Sequence, residues 1–216
     1  MDINEWAQTP GERAIFPAFV YIRLKAAVTR TRDLLQAKQG GGDVNYIAWL
    51  TRNLVELRIW AEYCSASDEN ALEFHEDSVR DLIELNQKVP GIDDETKKEL
   101  DKAKAMLLKP KPAHKFKSAR DAATDVDMLT FYEQNNKMLS KFAHPTALSV
   151  MSNLTREARL KICDGFAEAG IKISDETLAK LEGGHLAGTY RKSLPVLDRT
   201  LLEHPELQAH FEGTGA

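Results

Sequence analysis

Apolar residues recur every three to four positions along most of this 216-residue chain. This spacing is typical of helices that bury one face. No stretch alternates apolar and polar residues for long enough to predict a β-strand. The sequence therefore predicts an all-α fold, in which helices of roughly 15 to 25 residues pack as a bundle.

Helix caps and helix breakers divide this pattern into separate elements. Asp43, Ser67 and Ser118 have side chains that favour the N-cap position, and Pro145 disfavours helical geometry at the residue before it. Three consecutive glycines at 40–42 predict a loop. The predicted helices cover 12–38 with a break near Pro17, 44–64, 68–89, 93–108, 119–143, 145–170, 174–182, and 191–211 with interruptions at Pro195 and Pro205.

The net charge of −4 is unevenly distributed along the chain. Residues 97–120 contain nine basic and two acidic residues, whereas 43–94 contain twelve acidic and four basic residues. Two close prolines within 109–115 predict a linker there. Clustered lysines attract phosphates in a salt-sensitive way, so this segment is a candidate contact to RNA. Alternatively, it pairs with acidic residues of the same chain. The candidate phosphate contacts are Lys109, Lys111, Lys115 and Lys117.

Several classes of protein are not expected from this sequence. No apolar run reaches the roughly 18 residues of a membrane-spanning helix, and the acidic N-terminal stretch lacks the apolar core of a secretory signal. We therefore expect a cytoplasmic protein that does not bind a membrane. Cys64 and Cys163, far apart in predicted helices, are expected to be reduced and buried. The histidine spacings match no metal motif, so we expect no metal and no cofactor.

The stretch KMLSKFAHPT contains the first candidate for chemistry. Four polar residues lie within about 60° of one another on the side of this helix opposite its apolar face, namely Glu133, Lys137, Ser140 and His144. His144 is a candidate general acid or base, because imidazole titrates near neutral pH, and Lys137 could steady a phosphate. The alternative is a solvated helix face with a histidine near its C-terminal end.

The second candidate is a pair of opposite charges in the most apolar helix. Apolar residues, Trp49 among them, lie on almost every side of this helix, which predicts that it is largely buried. Arg52 and Glu56 are four residues apart within it, and burying either charge alone costs several kcal/mol. We expect them to pair with each other or with a polar group on another helix. The pair either fixes helix register or faces His144 across the bundle.

These residues carry a resemblance to known proteins. The matching residues are Arg52, Leu54, Glu56 and Leu57 in an RxLxEL helix, then Leu139, Ser140, His144, Pro145 and Thr146 in LSxxxHPT. Over roughly residues 45–150, the chain resembles a family of uncharacterised bacterial helical proteins. Those proteins in turn resemble the HEPN superfamily of nucleotide- and RNA-directed helical domains. The resemblance implies an HEPN-like helical bundle with additional C-terminal helices, a homodimer and, in active members, a metal-independent endoribonuclease.

Active members place an arginine five to seven residues before the histidine, so that two copies meet across a dimer interface. In this chain the corresponding positions are Leu139, Met138 and Lys137, which puts a lysine at the far limit of the spacing. A lysine supplies charge but not the paired hydrogen bonds of a guanidinium. The candidate catalytic set is His144, Lys137, Ser140, Arg52 and Glu56.

The expected organisation has four parts. They are an N-terminal helix with a glycine-rich loop over 1–42, an HEPN-like core over 43–150, C-terminal helices over 151–212 that pack on the same domain, and a frayed tail over 213–216. The expected function is action on RNA or nucleotides, of a toxin or defence type. The alternative is a non-catalytic helical interaction protein that binds a protein partner.

Overall fold

A computed structural model describes residues 15–41, 43–88, 91–106, 116–144 and 153–203 of the chain. These residues form helices and turns, with no strand among them. The all-α prediction is therefore confirmed. The helices of the described part are α1 (Ile15–Lys38), α2 (Val44–Ala66), α3 (Asp68–Gln87), α4 (Asp94–Met106), α5 (Ala119–Asp125), α6 (Leu129–Ala143), α7 (Arg156–Gly183) and α8 (His185–Glu203).

The predicted N-caps are found at the starts of their helices. Asp43 Oδ1 accepts a hydrogen bond from Tyr46 N at 3.1 Å, and Ser67 Oγ accepts one from Asn70 N at 3.1 Å. Ser118 caps α5 in the same way. These bonds satisfy backbone N–H groups that the first turn of a helix leaves unpaired.

Helix α2 lies at the centre of the bundle, where it contacts α1, α3, α5, α6, α7 and α8. Its side chains Ile47, Leu50, Leu54 and Ile59 are fully buried. A helix with apolar residues on most of its circumference is stable only when neighbours cover it. Trp49 is the exception, because 43% of this residue is exposed. The helix is therefore largely buried, as predicted, although Trp49 is exposed.

The prediction of a single helix over 119–143 is wrong, because a turn separates α5 from α6. Asp127 in this turn has a φ of +56°. Met128 N donates to Ala123 O at 2.8 Å, and Asp127 N donates to Thr124 O at 3.4 Å. This pair of bonds ends a helix in the Schellman motif, which usually has glycine at the left-handed position. Aspartate is one of the few other residues that tolerate it.

Three predicted helix breaks are also wrong. Helix α1 runs through Pro17 and α8 runs through Pro195, while α7 is continuous across the predicted break between 170 and 174. Pro17 is the third residue of α1, where a backbone N–H has no helical partner to lose. Pro195 is exposed, so the hydrogen bond that it removes lies on the solvent side of α8. The predicted linker, the break at Pro205 and the tail lie outside the described residues.

The thiols of Cys64 and Cys163 are free and buried, as expected. Burial raises the pKa of both thiols, which favours the unreactive protonated form. Among the described residues, no helix is both long and apolar enough to cross a membrane.

Gly170 lies where α7 approaches α1 and α2 most closely. A Cβ atom at Gly170 would lie 2.5 Å from Leu35 Cδ2 and 3.1 Å from Thr51 Oγ1. Thr51 Oγ1 also donates a hydrogen bond to Phe166 O at 3.0 Å, which ties α2 to the same turn of α7. The glycine therefore permits close packing within a continuous helix and does not end it.

His75 of α3 packs between aromatic rings of α1. Its ring stacks on Phe16 with the centroids 4.6 Å apart and meets the Phe19 ring edge-on at 5.8 Å. Burial lowers the pKa of His75 from 6.5 to about 4. The neutral imidazole thus serves as an apolar contact between α1 and α3.

We expect Gly170→Ala to lower the free energy of unfolding and Gly165→Ala to raise it. Alanine is preferred to glycine in a helix interior by up to about 1 kcal/mol, and a methyl group at Gly165 meets no atom within 4 Å. At Gly170 the overlap with Leu35 adds a cost of about 1 to 3 kcal/mol. Urea denaturation of both variants measures the difference. Equal stabilisation by the two substitutions would contradict the packing role of Gly170.

We expect the stability supported by neutral His75 to be present above about pH 6.5 and lost as the pH falls towards 4. In that range the unfolded chain binds the proton more readily than the folded chain, so protonation favours unfolding by at most about 3 kcal/mol. His75→Phe keeps the ring packing and removes the titration. Urea denaturation at pH 7 and pH 5 should show a smaller loss for the variant. An equal loss would rule out His75 as the cause.

Candidate functional site

Arg52 of α2 joins side chains from two helices in one hydrogen-bonded cluster. Its Nε donates to Asn136 Oδ1 at 2.8 Å, and its Nη2 donates to Glu56 Oε1 at 2.8 Å. Its Nη1 lies 3.2 Å from His144 Nε2. The structure therefore brings Arg52, Glu56 and His144 together, as in the second of the two arrangements considered for this ion pair. We use the name Arg52 cluster for five residues: Arg52, Glu56, Asn136, Ser140 and His144.

The polar residues of α6 in this cluster lie on one side of the helix. Asn136, Ser140 and His144 follow one another at four-residue spacing, which places them one above the other. Ser140 Oγ donates to Asn136 Oδ1 at 3.3 Å. The same Asn136 oxygen accepts the bond from Arg52 Nε, so the amide couples the two helices.

The end of α6 sets the position of His144. Its backbone has φ −117° and ψ 156°, an extended conformation. Pro145 explains this geometry, because proline disfavours helical dihedrals at the preceding residue. The chain thus leaves the helix at the residue whose ring contacts Arg52. The proline that ends the helix also places the histidine.

The contact with Arg52 defines which nitrogen of His144 carries the proton. A guanidinium has only donors, so Nε2 of His144 accepts this bond and the neutral ring carries its proton on Nδ1. The Arg52 and Glu56 side chains are 23% and 31% exposed, and His144 is exposed. The cluster is therefore open to a solute.

Tyr132 lies beside the Arg52 cluster on α6. Burial raises the pKa of its phenol, and the Glu56 carboxylate raises it further. The phenol therefore stays protonated and can donate a hydrogen bond. Neither Tyr132 nor Asn136 was among the candidates from sequence. The signal that could have identified Asn136 is its four-residue spacing from Ser140 and His144.

Two members of the predicted polar stripe do not take part in the hydrogen bonds described for the Arg52 cluster. Glu133 binds Arg120 Nη2 at 2.7 Å. Lys137 is exposed, and the cation beside His144 is Arg52 of α2. A role for Lys137 in binding phosphate stays a prediction. The side of α6 that faces α2 carries Asn136 in place of these two charged residues.

The basic segment is described only in part. Lys109, Lys111 and Lys115 lie outside the described residues. Lys117 Nζ lies 2.6 Å from Asp125 and 3.9 Å from Glu73, and its backbone N donates to Asp77 Oδ2 at 3.1 Å. At Lys117, therefore, the segment pairs with acidic residues of the same chain. A nucleic-acid contact by the segment stays a prediction.

Within the part of the chain that the structure describes, no three His, Cys, Asp or Glu residues are grouped so that they could hold a metal ion. The Arg52 cluster offers one carboxylate and one imidazole beside a permanent cation, a set suited to an anion.

The fold and site define an all-helical protein with an arginine–histidine cluster between α2 and α6. Residues 34–159 match a family of unknown function (DUF5677), so the chain belongs to that family. The matched range contains every member of the Arg52 cluster. The predicted resemblance to an uncharacterised helical family is confirmed to this extent. No curated protein and no solved structure matches the chain.

We expect Glu56→Gln to cost less stability than Glu62→Gln, although both glutamates belong to i,i+4 arginine pairs on α2. Glu62 binds Arg58 at 2.7 Å and Lys180 of α7 at 2.6 Å, and the Arg58 and Glu62 side chains are only 17% and 16% exposed. Its loss leaves two cations without a carboxylate, at about 1 to 3 kcal/mol. When Glu56 is replaced, Arg52 keeps two other partners. The loss of the Glu56 carboxylate therefore costs about 1 kcal/mol or less.

Urea denaturation of the two glutamine variants measures this difference in unfolding free energy. An equal or larger cost for Glu56→Gln would indicate that the Arg52 pair mainly holds α2 against α6. That result would favour the structural role of the pair over a role in binding.

Proposed function

We propose that this protein is an HEPN-like, metal-independent endoribonuclease in which Arg52 binds phosphate and His144 transfers protons. The observation that supports the proposal is the 3.2 Å contact between Arg52 Nη1 and His144 Nε2. It places a permanent cation beside an imidazole, a side chain that can both accept and donate a proton. Arg52 takes the part that the HEPN resemblance gives to an arginine on the histidine's own helix.

Binding of a phosphate would make Nε2 of His144 available. Three of the five N–H groups of Arg52 hold Asn136, Glu56 and His144, which leaves two for a ligand. A phosphate oxygen is an anionic acceptor and forms a stronger bond with a guanidinium than a neutral imidazole does. When Nη1 turns to the phosphate, the lone pair of Nε2 is released beside the reacting group.

In the proposed reaction, Nε2 accepts the proton of the RNA 2′-hydroxyl. The 2′-oxygen then bonds to the adjacent phosphorus, and the bond from phosphorus to the 5′-oxygen breaks. The protonated ring returns its proton to that 5′-oxygen. The products are a 2′,3′-cyclic phosphate and a free 5′-hydroxyl, so the step needs no other reactant.

The other members of the cluster position these two groups. Glu56 and Asn136 hold the guanidinium of Arg52 from two directions, and Ser140 orients the Asn136 amide. Fixed donors stabilise developing charge better than mobile ones do. Exposed Lys137 supplies additional charge for the RNA backbone. We also propose that the protein is a homodimer and that the basic segment 97–120 contacts RNA.

A non-catalytic interaction protein is the second candidate function. The observation that favours it is on α3, where Leu82 and Leu85 are 58% and 65% exposed. Apolar side chains three residues apart lie on one face of a helix and can contact a protein partner. In this case the Arg52 cluster only joins α2 to α6.

We expect His144→Ala to abolish cleavage of a mixed RNA pool in the presence of a chelator, whereas His185→Ala retains it. His185 is a matched control, because it lies at a helix end, as His144 does, but outside the Arg52 cluster. Its Nε2 lies 2.9 Å from Asp68 Oδ1. Circular dichroism and thermal melts first establish that both variants fold. Detection of 2′,3′-cyclic phosphate ends tests the chemistry. Arg52→Lys should lower the rate about a hundredfold.

Cleavage that persists in folded His144→Ala would contradict the proposal. The absence of cleavage by the wild-type protein would also contradict it and would favour the interaction protein. Cleavage that requires added metal would contradict the metal-independent step but leave the site in place.

A further inference from the structure

Two aromatic side chains stack on the surface of α2 beside the Arg52 cluster. The rings of Tyr46 and Trp49 have centroids 6.0 Å apart and lie within 15° of parallel. Trp49 is 43% exposed, whereas the Trp60 ring packs against Tyr63 and Phe74. An exposed tryptophan ring that rests on a second ring is a flat platform already held in one orientation.

The platform and the cluster share one face of α2. At about 100° per residue, Trp49, Arg52 and Glu56 lie within about 60° of one another. Helix side chains lean towards the N-terminus, so the Arg52 side chain extends over the turn that carries Trp49. The two Cα positions differ by about 4.5 Å along the helix axis.

His144 lies towards the same end of α2. Tyr132 is beside Glu56, and Asn136 binds Arg52, so α6 runs antiparallel to α2. His144 follows Asn136 by eight residues, which places it about 12 Å nearer the N-terminus of α2. This level corresponds to the first turn of α2, which carries Tyr46.

We propose that Trp49, supported by Tyr46, is a base-stacking subsite for an unpaired nucleobase of RNA whose phosphate lies at Arg52 and His144. The subsite rests on the proposed function, because it states how the same site holds its substrate. Every nucleobase has a π-face, so stacking of this kind tolerates any sequence. The substrate class is therefore single-stranded RNA with little base preference.

Charge favours a nucleotide over an apolar protein surface at this position. An apolar partner that covered Trp49 would also cover the remaining N–H groups of Arg52 and would leave them without acceptors. A nucleotide supplies a ring for Trp49 and an anion for Arg52 in a single unit. One ligand can therefore stack on Trp49 and accept hydrogen bonds from Arg52.

The test measures binding of an RNA oligonucleotide with 2′-O-methyl groups, which binds without being cleaved. Trp49→Leu keeps the apolar character but removes the ring, and it should weaken binding about five- to a hundredfold. Trp49→Phe keeps a ring and should stay within about threefold of the wild type. An oligonucleotide without bases, on the same backbone, should bind the wild type and Trp49→Leu equally. Leu82→Ala is the control for losing an exposed apolar side chain.

Tryptophan fluorescence gives an independent reading of the same contact. The oligonucleotide should quench emission in the wild type and in Trp60→Phe, but not in Trp49→Phe. The subsite is overturned if Trp49→Leu binds as tightly as the wild type, or if the oligonucleotide without bases binds as tightly as the complete one.

Other outcomes separate this subsite from the proposed catalysis. Ring-dependent binding without cleavage by the wild type would support the subsite and remove the endoribonuclease. Cleavage that depends on His144, together with binding that does not depend on the Trp49 ring, would support the endoribonuclease and overturn the subsite. A dimer that dissociates in Trp49→Leu, as measured by sedimentation, would show that Trp49 contacts a second copy and would overturn the subsite.

Discussion

The need to cover α2 is the constraint on which the rest of this structure depends. The helix carries apolar side chains on most of its circumference, and six other helices pack against it. A helix of this kind has no stable exposed state, so its neighbours are fixed by the surface that they must bury. Of the large apolar side chains of α2, Trp49 is the one left exposed, and it lies three residues before Arg52. Trp49, Arg52 and Glu56 are thus among the residues of α2 that its neighbours leave accessible.

Packing of α6 on α2 converts two separate sequence features into one site. Leu139 is buried in the interface, which turns the Asn136 side of α6 towards Arg52. Pro145 then ends the helix where His144 reaches the guanidinium. None of these residues specifies the site alone, because an arginine on one helix and a histidine on another meet only when both helices are docked.

Most features that depend on neighbouring residues could be predicted from the sequence, whereas most that depend on distant ones could not. The cap at Asp43 and the pairing of Arg52 with Glu56 follow from local spacing. The turn after α5 was missed because Asp127 occupies a position that usually requires glycine. The sequence predicts a helix end at Gly170, because only the contact of this residue with Leu35 reveals its packing role. The side of α6 that faces α2 is likewise a tertiary property.

The candidate site also explains how one arginine can serve two purposes. In the free protein, Arg52 donates to Nε2 of His144 and holds the ring in one tautomer. An anion that replaces the ring as acceptor must therefore break this bond, and the same event leaves the imidazole with an available lone pair. In the proposed reaction, phosphate binding and activation of His144 are coupled through a single N–H group. The coupling requires a neutral acceptor at His144 and a stronger, charged acceptor in the ligand, which a phosphate provides.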